Sequence, residues 1–128
     1  MKILVVEDTM TMRHIMLHML RTLGYEDLEE AVDGAHALDV MGRHKIDLVI
    51  TDMNMPKKDG FALLQEVKAN PKLAHIPIMM VTCDPDLDKI QLAVAAKVAG
   101  FIVKPFNLQT LEKQLKLVLN KLESKVAS

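Results

Sequence analysis

The chain predicts an α/β fold: a five-stranded parallel sheet, doubly wound, with helices on both of its faces. Three observations predict it. Short β-branched runs alternate with stretches of helical period along all 128 residues, giving five successive βα units. That alternation implies a three-layer sandwich with right-handed crossovers. The length suits one domain, read as spanning 1–128, and leaves no room for a second after residue 108. Finally, no internal repeat, low-complexity stretch or linker interrupts the alternation.

The strands are expected near 2–6, 27–31, 47–51, 77–82 and 99–103. Between the first two, a helix over about 9–22 places Met12, Ile15, Met16, Met19, Leu20 and Leu23 on one apolar face, and Gly24 ends it. Asp27-Leu28-Glu29-Glu30-Ala31 is too charged to be buried on both faces, which puts the second strand at an edge of the sheet. A second helix runs from about Gly34 to Met41 with Leu38 inward. The third begins near Gly60 after a break at Met55-Pro56, turns Leu64 and Val67 inward, and stops at Asn70-Pro71. The fourth covers about 86–96 with Leu87, Ile90 and Val94 on its inner face, and the fifth about 108–124 with Leu108, Leu111, Leu115, Val118, Leu119 and Leu122.

Composition narrows the function. Half of the residues are apolar and 26% are charged, as in an ordinary globular domain. Sixteen basic and 17 acidic residues are interspersed to a net charge of -1, so no broad field attracts nucleic acid or an anionic membrane. Met1-Lys2 leads straight into a strand that ends in acid, which is no signal peptide, and no apolar run approaches membrane-spanning length. The expected location is the cytoplasm, in keeping with the single cysteine, Cys83.

Charge gathers where strands end. Glu7-Asp8 follows Ile3-Leu4-Val5-Val6, Asp52 follows Leu48-Val49-Ile50-Thr51, and Lys104 follows Phe101-Ile102-Val103. The strand ends of a parallel sheet share one rim, so these residues can form one site. Carboxylates packed within about 4 Å repel by several kcal/mol at the dielectric of a protein surface, and such a cluster calls for a cation. Oxygen ligands favour a hard divalent metal, magnesium above all, which pairs one or two carboxylates with waters and a phosphate. The expected chemistry is magnesium-assisted phosphoryl transfer, with Asp52 as nucleophile and Lys104 as the fixed positive charge.

Taken together, Glu7-Asp8, Asp52-Met53-Asn54-Met55-Pro56 with Asp59-Gly60, Thr82 at the end of the fourth strand, and Lys104-Pro105-Phe106 resemble the bacterial response-regulator receiver family. The likeness covers essentially the full length in the right order and spacing, and is strongest to the stand-alone chemotaxis regulators. It implies the flavodoxin-like strand order 2-1-3-4-5. It also implies that Asp52 accepts a phosphoryl group from a histidine kinase, and that small phosphodonors can substitute. Magnesium would be held by Asp8, Asp52 and the backbone carbonyl of Asn54, with Glu7 acting through water. Thr82 would bind phosphoryl oxygens and move toward them, Phe101 would turn into the space it leaves, and Asn54 and Asp84 would tune dephosphorylation. The Lys104-Pro105 bond resembles the family's cis peptide.

The implied partners are the kinase, a downstream switch or relay protein on the face of the fourth helix, fifth strand and fifth helix, and a phosphatase; the chain is expected to be a monomer and not an ordinary enzyme. Output to the flagellar motor and service as a relay or phosphate sink both remain open.

Two residues depart from the chemotaxis pattern. Phe101 stands where tyrosine is usual, so switching by burial survives and switching by a hydroxyl hydrogen bond does not. Lys97 stands where glycine suits a left-handed helix terminus, which predicts a different loop there. Elsewhere the plain reading is favoured: His14 and His18 lack a third metal ligand, Met12, Met16 and Met19 belong to the core, Cys83 is packing, and the lysines at 113, 116, 121 and 125 form a solvated face.

Two other classes are disfavoured. A haloacid-dehalogenase-like phosphatase carries its nucleophile after the first strand with a second aspartate two residues on, where this chain has Asn54 after Asp52. In a flavin carrier, Glu7-Asp8 would repel the flavin phosphate.

Overall fold

The computed structural model describes residues 1–83 and 86–127, with side chains through 121. The elements alternate as β1 Ile3–Val6, α1 Met10–Thr22, β2 Leu28–Ala31, α2 Gly34–Arg43, β3 Leu48–Asp52, α3 Gly60–Ala69, β4 Ile78–Thr82, α4 Leu87–Ala95, β5 Gly100–Val103 and α5 Leu108–Ala127. The five strands form one parallel sheet in the order β2-β1-β3-β4-β5. The charged strand is at the edge, as its composition requires.

Period-two alternation sorts the strand residues between two cores. Ile3, Val5, Leu48, Ile50, Met79, Val81 and Ile102 pack with Met16, Leu17 and Leu20 of α1 and Leu111, Leu115 and Val118 of α5. On the opposite face Leu4, Val6, Val49, Ile78 and Met80 pack with Ala37, Val40 and Met41 of α2, Leu63, Leu64 and Val67 of α3, and Ala93 of α4. Each of these last three helices starts on an aspartate cap: Asp33 accepts from the His36 amide at 2.8 Å, Asp59 from Ala62 at 2.8 Å and Asp86 from Asp88 at 2.9 Å.

Helix faces depart from expectation in two places. In α1 the fully buried stripe is Met16, Leu17 and Leu20, with Met12, Met19 and Leu23 half-buried and Ile15 44% exposed. Leu17 widens the apolar arc beyond what one face can bury, and the helix settles rotated toward it. In α4, Leu87 and Val94 are 71% and 62% exposed, and Ile90 is half-buried. Ala93 and Ala96 face the core instead, because their short side chains let the helix approach the sheet. Cys83 is also exposed rather than packed.

Lys97 does not disrupt the loop after α4. It adopts φ 66° itself, and the amides of Lys97 and Val98 close on the carbonyls of Val94 and Ala93 at 3.0 and 3.1 Å. Gly24 ends α1 with φ 98° and the equivalent pair of bonds, from Gly24 to Arg21 and from Tyr25 to Leu20. Both are Schellman closures. The Lys104-Pro105 peptide is cis.

Candidate functional site

β1 and β3 are central neighbours in register, Val6 opposite Thr51, so the residues that follow them emerge side by side. One oxygen from each of Glu7, Asp8 and Asp52 lies within 4.8 Å of the others. Glu7 and Asp52 are buried at 6% and 9% exposure, while Asp8 faces solvent. Lys104 reaches in from beyond β5, its Nζ donating to Glu7 Oε2 at 3.0 Å and lying 3.5 Å from Asp52 Oδ2. The other Glu7 oxygen accepts from the Thr9 amide at 3.2 Å. Asp52 Oδ1 is buried with no hydrogen-bond partner among the described residues.

Burial pushes the Glu7 carboxyl above its ordinary value; the Lys104 hydrogen bond pulls it back and the charge of Asp52 pushes it up again, leaving it raised. For Lys104, burial alone would favour the neutral amine, but the Glu7 hydrogen bond and the Asp52 charge outweigh it, so its value is raised and the ammonium persists.

Three carboxylates facing one ammonium retain excess negative charge, and a buried carboxylate oxygen lacks a donor. Both features suit a hard divalent cation with oxygen ligands, and the absence of sulfur or imidazole in the cluster disfavours softer metals.

Thr82, at the end of β4, is fully buried, and its carbonyl accepts from the Lys104 amide at 2.7 Å. Phe101 is half-buried opposite Met80, which places it on the same sheet face as Thr82. Asn54 is exposed in the loop after β3. Asp84 lies outside the described residues. Glu7, Asp8, Asp52 and Lys104 thus meet at one rim with Thr82 at the end of the neighbouring strand, while Phe101 lies two residues short of the end of β5.

Three contributions were not read from the sequence, although Gly60 and Gly34 stood there as helix starts. A Cβ on Gly60 would stand 2.4 Å from the Asp52 carbonyl oxygen, so only glycine lets α3 start against the strand that carries Asp52. Gly34 plays the same part beside Lys58, whose carbonyl accepts from the Gly34 amide at 3.0 Å. The third is Arg13, whose Nη1 donates to the Glu7 carbonyl at 2.8 Å and whose Nε donates to Glu30 of β2 at 2.9 Å. Its signal was a charge one helical turn before Leu17, on the stripe that is buried.

Fold and rim together define a class. Residues 3–116 match the response regulator receiver domain family, and the chain belongs to it. Among its relatives, chemotaxis protein CheY-3 of Vibrio cholerae serotype O1 is 41% identical over 122 residues, covering 95% of this chain and 94% of that protein. Chemotaxis protein CheY of Pseudomonas aeruginosa is 40% identical over 121 residues, covering 94% and 98%. Among solved structures, Vibrio cholerae CheY4 superimposes with a TM-score of 0.84 at 37% identity, covering 91% of this chain and 97% of that one. The receiver domain of a Pseudomonas aeruginosa sensor histidine kinase, solved with magnesium coordinated in its active-site cleft, gives 0.80 at 25% identity over 91% and 96%. Receiver domains of this type are signalling switches rather than enzymes of ordinary turnover.

Proposed function

We propose that this chain is a phosphorylation-driven switch of the chemotaxis type, taking a phosphoryl group from a histidine kinase onto Asp52. One observation carries the reading: Asp52 Oδ1 is buried and unpartnered among the described residues, while Lys104 approaches the other oxygen of the same carboxylate at 3.5 Å. The carboxylate thus keeps unused lone pairs on one oxygen while a cation lies beside the other, which suits a nucleophile that works with a bound metal. Asp8, Asp52 and the Asn54 carbonyl would hold magnesium, with Glu7 acting through water. When bound, the metal neutralises charge on the transferring phosphoryl group.

The chain's own residues do the rest. Lys104, already an ammonium, re-pairs from Asp52 to a phosphoryl oxygen, so stabilisation needs little reorganisation. Thr82 hydrogen-bonds another oxygen, and Phe101, on its face of the sheet, follows the vacated space. Asn54 and Asp84 flank the approach of water and set the lifetime. Output leaves by the face of α4, β5 and α5, where Leu87, Leu92, Val94 and Val103 are exposed. Relatives that are chemotaxis proteins support a chemotaxis output, with the flagellar motor switch as the partner and a relay as the alternative, and a phosphatase would reset the state. The location is cytoplasmic.

Acetyl phosphate with magnesium should add one acid-labile phosphoryl group to the wild type and none to Asp52→Asn by intact mass; labelling of that variant would place the nucleophile elsewhere. In titration calorimetry Asp8→Asn should lose most magnesium binding.

A further inference from the structure

We propose that Arg13 is a positioning residue for the metal site, a clamp that fixes the Glu7-Asp8 turn to the edge of the sheet. Its side chain is only 12% exposed and its fork is used in two directions. Nη1 donates to the Glu7 carbonyl at 2.8 Å and Nε to Glu30 Oε1 at 2.9 Å. Glu30 belongs to β2, opposite Val5 of β1, and the Glu7 amide donates to the neighbouring Ala31 carbonyl at 3.1 Å. Both polar groups of the Glu7 backbone are therefore tied, one to β2 directly and one through Arg13.

The orientation of the Glu7-Asp8 peptide sets where both carboxylates point. Glu7 is held further, by Thr9 and Lys104, but among the described residues no hydrogen bond holds the exposed Asp8 side chain, so its aim depends on the backbone that Arg13 grips. Lysine cannot replace this fork, because one ammonium does not reproduce two donors in a fixed plane. The inference rests on the magnesium reading above and adds to it a residue outside the acidic cluster.

Charge and orientation predict opposite results. Guanidinium beside an acidic cluster repels a cation, so on charge alone Arg13→Gln should tighten magnesium binding. If Arg13 orients the turn, the same change should weaken it, by roughly tenfold as for other groups that position metal ligands.

The test is magnesium titration calorimetry on the unphosphorylated chain, with thermal unfolding of each variant as a control for folding. Arg13→Gln and Arg13→Lys should both weaken binding, and Glu30→Gln should weaken it by about threefold, since it releases only the far end of the clamp. Unchanged or tighter binding in Arg13→Gln overturns the clamp, as does full affinity in Arg13→Lys. Should Arg13→Gln fail to fold, Arg13→Lys, which keeps the charge and loses the fork, decides alone: unchanged affinity there overturns the proposal. No magnesium binding by the wild type would instead overturn the metal reading and the clamp with it.

Discussion

Helices α3 and α4 lie on the same face of the sheet, are of nearly equal length at 10 and 9 residues, and both start on an aspartate cap, yet they are attached quite differently. α3 buries Leu63, Leu64 and Val67 completely and begins with Gly60 against the Asp52 carbonyl. In α4 only Ala93 is fully buried, and Leu87, Leu92 and Val94 are more than half exposed. The difference shows how a small domain divides its labour. One helix is welded to the strand that carries Asp52, while the other rests on a small contact and offers apolar surface that a partner can cover.

The largest expected effect separates the two helices directly. Leu64→Ala should lower stability by about 3 kcal/mol in denaturant unfolding, because a completely buried leucine leaves a cavity. Leu92→Ala should stay within about 0.5 kcal/mol, as an exposed position does. Comparable losses in both would erase the contrast.

Gly60→Ala comes next, at about 2 kcal/mol, because its Cβ must displace strand backbone rather than a flexible side chain. The cost should appear together with slower phosphorylation of Asp52 by acetyl phosphate.

A smaller effect of opposite sign is expected at the end of α4. Lys97→Gly should stabilise by up to about 1 kcal/mol, relieving a left-handed residue that carries a side chain. The same unfolding measurement checks it, and a loss of stability would show that the lysine side chain has its own role.

The subtlest test is pH. The folded-state value of Glu7 is raised, so the carboxylate form is disfavoured by folding, and stability should fall as pH rises from about 4.5 through that raised value. Lys104 adds a contribution that is complete below its ordinary value of 10.5 and is lost only as pH rises through its higher folded value. Magnesium requires ionised ligands, so its stabilising increment should grow over the Glu7 interval. Unfolding temperatures with and without magnesium across that interval measure it; an increment that shrinks with rising pH would remove Glu7 from the metal's surroundings.

The rim was legible in the sequence because its residues sit at the ends of apolar runs, and a parallel sheet brings such ends together whatever the loops do. The edge position of β2 was legible for a similar reason, since Glu29 and Glu30 cannot be covered on two faces. What escaped depends on distances that a period does not contain. Leu87, Ile90 and Val94 repeat at helical spacing as well as any buried stripe, and only the closer approach allowed by Ala93 decides which side meets the sheet. Arg13 belongs to no motif, and its part appears only when Glu7 and Glu30 are seen on either side of it. Gly60 read as a helix start, and its contact with the Asp52 carbonyl appears only once α3 is docked.

The loop between β3 and α3 has a consequence for protein engineering. Its far end is fastened twice, by Gly60 against Asp52 and by Lys58 against Gly34, while Met53 at its near end is buried and donates to the Val81 carbonyl at 3.0 Å. Between these fixed points Asn54 is exposed and belongs to neither core. A library randomised at that single position should therefore leave the scaffold undisturbed, and with the role proposed for Asn54 it would retime a synthetic signalling circuit.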